Sequence, residues 1–302
     1  SLTIELAKIY HMRGNLCFPL GKTEDVLKYH KLALQYAQQA SSIELEANAL
    51  GGLGDAYYVS GRMKTANENF HQCVKISVQH GFSRIEAANL SMVGWSYFFL
   101  NEFEHALAAG AEAVRVAKKI NHYRAEIVAH HIIAEVNYNL GNFDITKQEY
   151  QRAAKLEGII KTNTFEAQRF HKLGLIAYNE GNHTLAMNLL EQAEESCRNH
   201  GMDFSGAAIL GGIAEVTSDK TRCKNALAEA EKLLQKGARH QTFYIFYRHA
   251  IDASLKNEEW DSVDQYATAL SRFTVLEPLP WSDFFITRGR VLAAFGRGQR
   301  DD

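Results

Sequence analysis

Small residues interrupt the apolar stripes of this chain at a fixed interval of forty: Gly14, Gly54, Gly94, Ala134, Gly174 and Ala214. Seven beyond the first five stand Gly21, Gly61, Asn101, Gly141 and Gly181; twelve beyond all six stand Val26, Ala66, Ala106, Thr146, Ala186 and Ala226. In the second interval Leu50, Leu53, Gly54 and Tyr57 fall at i, i+3, i+4 and i+7, the stripe of an amphipathic helix. Ser60-Gly61-Arg62 breaks it, and a second helix follows with Ala66, Phe70, Cys73 and Val74 on one face. Small residues at 54 and 66 let the two helices cross closely. The pattern predicts stacked helical hairpins, each burying its apolar face only against its neighbours.

The units span approximately 2–40, 42–80, 82–120, 122–160, 162–200, 202–236 and 238–275, with a partial eighth at 281–302. Together they form one array over residues 1–302. Ser41, Gly81, Asn121, Gly201 and Gly237 mark the second turn of each unit. Lys161 breaks that series, so a different loop is expected between Glu157 and Phe165. Thr217-Ser218-Asp219-Lys220 replaces a helix end and predicts a short or irregular first helix in unit six. In unit seven Ala250 and Asn257 take the small-residue and turn roles; in unit eight Gly289 and Gly296 do. With no second helix to follow, Val291, Leu292 and Phe295 are expected to lack cover, giving end-to-end association or fraying.

The chain has 302 residues, 46% of them hydrophobic, which supplies a continuous core. The only prolines, Pro19, Pro278 and Pro280, permit long helices almost throughout. A net charge of -2 gives no electrostatic reason to expect nucleic acid or an anionic membrane. Cys17, Cys73, Cys197 and Cys223 form no CxxC pair and read as reduced core thiols of a cytoplasmic protein. No apolar run suits a membrane span and no signal peptide is visible. The opening Ser1-Leu2-Thr3, without an initiator Met, suggests an excised segment.

Candidate chemistry is thin. Gly21-Lys22-Thr23 resembles the end of a phosphate-binding loop, but Leu16 stands where that loop needs glycine. His131 and Glu135, at i and i+4, have metal-ligand spacing without a second pair, so His130-His131 reads as an exposed pair. Arg288, Arg290, Arg297 and Arg300 read as a solvated helix end. Paired acids such as Glu194-Glu195 lie on ordinary polar faces. No nucleophile comes with a base, so no enzyme activity, cofactor or metal is expected.

Leu53-Gly54, Tyr57, Ala66 and Phe70, and again Leu173-Gly174, Ala186 and Ala193, resemble the tetratricopeptide repeat (TPR). That family's repeat is about 34 residues, so forty implies longer helices. The resemblance implies an all-α right-handed superhelix with a concave peptide-binding groove. Carried over position by position, that groove includes His11, Asn15 and Phe18; Asn48, Asp55 and Tyr58; Ser91, Trp95 and Phe98; His131, Glu135 and Tyr138; Gln168, His171 and Tyr178; and Tyr244 with Tyr247. Aromatic area with amide donors suits a peptide or protein segment as partner. A small-ligand sensor and a scaffold docking its own parent protein are the alternatives.

The segments Gly51-Gly52-Leu53-Gly54-Asp55-Ala56, Asn89-Leu90-Ser91-Met92-Val93-Gly94-Trp95 and Glu277-Pro278-Leu279-Pro280-Trp281-Ser282-Asp283-Phe284-Phe285 resemble a narrower group. These are the C-terminal repeats of bacterial signalling proteins with class III adenylate/guanylate cyclase and ATPase domains. That resemblance implies a regulatory, partner-sensing role.

Overall fold

Glycine or asparagine at the helix ends decides where this chain folds back. In the computed structural model, residues 2–18, 20, 22–237 and 241–299 are described, and among them fifteen α-helices and no strand occur. The first eight are α1 (Leu2–Cys17), α2 (Thr23–Gln39), α3 (Ile43–Val59), α4 (Met63–His80), α5 (Ser83–Phe99), α6 (Phe103–Lys119), α7 (Tyr123–Asn139) and α8 (Phe143–Ile160). They form one compact body, residues 1–162. A second body, residues 163–302, holds α9 (Glu166–Asn179), α10 (His183–His200), α11 (Gly206–Val216), α12 (Lys220–Gln235), α13 (Gln241–Lys256), α14 (Trp260–Thr274) and α15 (Pro280–Gly296).

Gly61, Asn101, Gly141 and Gly181 all have positive φ (74°, 61°, 79° and 81°). Each lets the following amide reach back five residues: Arg62 N–H donates to the Tyr57 carbonyl at 2.9 Å, and Asn142 N–H to that of Asn137 at 2.8 Å. These bonds satisfy carbonyls that the helix end would leave bare. Gly21 lies outside the described residues. At the second turns Ser41, Gly81, Asn121 and Lys161 have positive φ of 51–74°, and Gly201 has φ 110° with an extended ψ of 126°. Lys161 therefore keeps the backbone role despite its side chain, with φ 54°. The fourth junction differs afterwards, because α9 starts only at Glu166. In repeat seven the left-handed residue is Glu258, one beyond the expected Asn257.

The small residues are notches for large side chains of the paired helix. A Cβ on Gly54 would overlap the Phe70 ring, and one on Gly174 would stand 2.9 Å from Leu190 Cγ. Both large residues lie sixteen beyond the glycine and are fully buried. At Gly14 the same partner is His30. Cys73, Cys197 and Cys223 are buried free thiols and Cys17 is half-buried. Burial pushes the Cys73 thiol up to about 12.

The second body departs from the regular stacking. Helix α11 has eleven residues against seventeen in α3, α5 and α7, because Thr217 leaves the helix in extended conformation. Asp219 then caps α12, accepting from the amides of Thr221 at 2.8 Å and Arg222 at 3.2 Å. In α15, Gly289 does not face a second helix of its own repeat. A Cβ there would meet Ile251 Cγ2 at 2.8 Å and Val263 Cγ1 at 3.4 Å, both in the preceding hairpin. Gly296 stays helical against the Trp260 ring, and the left-handed residue is Gly298. The expected eighth-repeat register is thus displaced.

Candidate functional site

In residues 1–162 the middle turns of α3, α5 and α7 are mostly buried, and one recurring line of positions along them stays accessible. In α3 that line is Glu44, Asn48 and Asp55; in α5 it is Arg84, Ala88 and Trp95; in α7 it is Arg124 and Val128. The spacing i, i+4, i+11 keeps each set on one helical face, and the sets are equivalent at intervals of forty. Because α3 contacts α5 and α5 contacts α7, the faces adjoin. In α1 the matching positions are Lys8 and Asn15, both exposed.

Charge on this stripe is mixed. Asp55 is half-buried, and burial pushes its carboxyl up to about 7 even though the Arg124 guanidinium pulls it down. Asn48 Nδ2 donates to the Glu44 carbonyl at 3.0 Å. Asn15 Nδ2 donates to His11 Nε2 at 3.1 Å. Trp95 is half-buried, its ring edge-on to Phe98 at 6.1 Å. A Cβ on Gly51 would meet Asn89 Oδ1 at 2.6 Å, so this glycine seats an amide of α5.

The structure moves many expected groove residues inward. Tyr58, Phe98 and Tyr138 are buried, the last two beside Phe103 (5.8 Å) and Phe143 (5.8 Å) at the start of the paired helix. The reason is helical geometry. A residue four beyond the small position shares its face, and that face is turned to the second helix. Tyr178 obeys the same rule: it is half-buried, with its ring 5.2 Å from His183. Residues three before the small position also turn inward. His131 and His171 are buried, and His11 is half-buried with its ring 5.2 Å from His30.

His130-His131 is therefore not an exposed pair. His130 Nδ1–H donates to Glu149 at 2.6 Å, with Glu126 3.7 Å from Nε2; His131 Nε2 lies 3.7 Å from Glu157. Glu135 is buried and accepts from Asn139 Nδ2 at 3.2 Å. Among the described residues no group of three or more His, Cys, Asp or Glu could hold a metal ion.

In residues 163–302 the inner helices present far less. Every residue of α11 except Glu215 is buried. Tyr244 is buried against Phe273 and Trp281, and Tyr247 is half-buried among Phe243, Phe246 and Tyr266. Arg288 of α15 and Arg297 just past its end are ion-paired rather than merely solvated, and Arg290 reaches Thr268 Oγ1 at 3.3 Å. Arg288 bonds Asp252, and Arg297 bonds Asp261 at 2.9 Å and Asp264 at 2.7 Å. Arg300 lies outside the described residues. The positions that residue reading missed are Glu44, Arg84 and Arg124, which repeat at forty and are all charged.

These features define a helical-repeat protein. The tetratricopeptide repeat family pattern matches residues 167–200, the hairpin of α9 and α10. No curated protein sequence matches the chain. Among solved structures, a Rap protein complexed with Competence and Sporulation Factor is similar at 16% identity and TM-score 0.66, over 98% of this chain and 77% of that one. The Rap conjugation gene regulator of plasmid pLS20, in complex with a Phr peptide, is similar at 14% identity and TM-score 0.65, over 97% and 74%. The apo quorum sensor NprR from B. thuringiensis is similar at 14% identity and TM-score 0.56, over 95% and 87%. The chain shares the all-α helical-repeat fold of these regulators. No described helix is long and apolar enough to cross a membrane.

Proposed function

We propose that this protein is a non-catalytic interaction module that takes a peptide or protein segment along the inner stripe of residues 1–162. The observation that carries this reading is the stripe itself. On α3, α5 and α7, whose middle turns are mostly buried, Asn48, Asp55, Arg84, Ala88, Trp95, Arg124 and Val128 stay accessible in register. Trp95 offers apolar area and Asn48 an amide that can exchange its helix carbonyl for a ligand's backbone. Two of the similar structures are described as complexes, with Competence and Sporulation Factor and with a Phr peptide. Asn15, His11, Asn48, Asp55 and Trp95 are the proposed contact residues, with Tyr178 and Tyr247 as partly exposed candidates in the second body. The free thiols Cys73, Cys197 and Cys223 favour a reducing, cytoplasmic setting. The resemblance to cyclase–ATPase–repeat proteins supports a regulatory role within a larger signalling protein.

The test is selection of a randomised peptide library on the chain, beside an Asn48→Ala/Trp95→Ala variant of matched melting curve. Truncating a central interface tryptophan costs about 2 kcal/mol or more, roughly thirtyfold in affinity. Peptides that bind the parent and lose about that factor on the variant support the stripe. A library yielding nothing, or peptides bound equally by both, overturns it.

A further inference from the structure

The second body holds two imidazoles that no binding role uses. His171 of α9 and His249 of α13 are both buried, and their rings meet edge to face at 5.2 Å. Helix α11 runs against both through a glycine pair. A Cβ on Gly212 would overlap His171 Nε2, and one on Gly211 would stand 3.0 Å from His249 Cβ. His249 Nδ1–H donates to Glu215 at 2.5 Å, while Nε2 of each ring is buried without a hydrogen-bond partner.

We propose that the His171–His249 pair is an acid-sensitive latch: as neutral imidazoles the two rings let α9, α11 and α13 close, and protonation parts these helices. A proton added at Nε2 of either ring would create a buried N–H with no acceptor in reach, and a charge with no water around it. The neighbouring charges add to that cost for His171. Lys172 stands beside it on α9 and Arg248 on α13, both cationic. On α11 Glu215 is engaged at the Nδ1 edge of His249, and Lys256 donates to the carbonyls of Glu215 and of Thr217 at 2.7 Å. Asp252, on α13 and acting on His249 by charge, is held by Arg248 at 3.5 Å and by Arg288 of α15. Helix α10 meets this region with Leu190, and α14 with Tyr266 against the Phe246 ring. Burial and these cations hold His171 well below its ordinary value.

A histidine whose pKa is depressed in the closed state gives full stability above its unfolded value of 6.5, and loses it as pH falls below that. Exposure of one ring favours opening about tenfold between pH 7.5 and 5.5, and of both rings about a hundredfold. The cluster does not suit a cation ligand instead, since Lys172 and Arg248 already crowd it.

The experiment is amide hydrogen exchange of the full chain at pH 7.5 and 5.5, corrected for intrinsic rates, with His171→Gln/His249→Gln beside the parent. Protection over Ile209–Ala214 should fall about ten- to a hundredfold in the parent and less than threefold in the variant. Helices α5 and α6, packed through the apolar cluster Ala87, Leu90, Ala113, Val116 and Ala117, serve as the internal reference. Equal loss in α5, α6 and α11, or undiminished loss in the variant, overturns the latch. Should the variant be open already at pH 7.5, the parent's own imidazole resonances decide. Signals of His171 and His249 that stay neutral in the closed population support the proposal; smooth titration near 6.5 without opening sinks it.

Discussion

His30 occupies space that Gly14 and Gly52 leave empty: a Cβ on Gly14 would lie 2.5 Å from its Nε2, and one on Gly52 would overlap its Nδ1 edge. Forty residues later the equivalent of His30 is Phe70, and forty-by-forty beyond that come Gly110, Tyr150 and Leu190. One imidazole thus ties three helices, α1, α2 and α3.

The first prediction concerns that fit. Gly52→Ala should lower stability by about 1–3 kcal/mol, the usual cost of overpacking a filled core. Combining it with His30→Ala should remove most of that added cost, since the clash partner is gone. Chemical denaturation of the four proteins in the cycle gives the coupling. Additivity within about 0.5 kcal/mol would mean the two residues do not press on one another.

Acid should loosen α1–α3 through the same residue. Burial, with a smaller contribution from His11, lowers the His30 pKa from 6.5 to about 3. Its folded pKa lies below the unfolded one, so its contribution is complete above pH 6.5 and lost as pH falls from 6.5 toward 3. The slope is about 1.4 kcal/mol per pH unit. His30→Leu, which keeps an apolar filler, should flatten this limb in a plot of stability against pH. A variant curve parallel to the parent's would refute the assignment.

Asp55 should act with the opposite sign. Its carboxyl is raised from 3.8 to about 7 by burial. A raised carboxyl is penalised when ionised in the fold, so stability declines as pH rises from about 4 to about 7 and is level above. Asp55→Asn should melt with the parent at pH 4 and above it at pH 8. Matching melting temperatures at both would show that the acid is better solvated than its surroundings indicate.

Exposed apolar side chains on α15 should drive weak self-association. Phe284, Val291 and Phe295 are 57%, 61% and 66% exposed, on the face opposite Gly289 and Ala293. Sedimentation velocity over a hundredfold concentration range should show growth in mass that Phe284→Glu/Phe295→Glu abolishes. A strictly monomeric parent at the highest concentration would refute this.

Much of the fold was legible in the residues, because backbone needs are local. Gly61, Gly141 and Gly181 announce left-handed turns, and Gly54 with Phe70 announces a helix crossing. Lys161 rightly announced a different junction, since α9 starts only at Glu166, yet the lysine itself takes positive φ, held by the bond from Thr162 N–H to the Glu157 carbonyl. Gly289 misled: seven-residue spacing to Gly296 imitated a turn, but both glycines fit Ile251 and Trp260 instead. The site was half legible. Asn48 and Trp95 are half-buried on the accessible line, whereas Phe98, Tyr138 and His131 are buried. Residue type cannot separate a groove aromatic from one packed on its own hairpin; the angle from the small residue can. Arg84 and Arg124 were overlooked because a charge on a helix looks like solvent until its neighbours are known to be buried.

The glycine pairs Gly51-Gly52 and Gly211-Gly212 stand four repeats apart, and each leaves room for a histidine contributed by another helix. Neither member of such a set can drift alone: a side chain at Gly52 demands the loss of His30, and one at Gly212 the loss of His171. Related sequences should accordingly exchange these residues together or not at all, so that the presence of a histidine at one position reports the absence of a side chain at another.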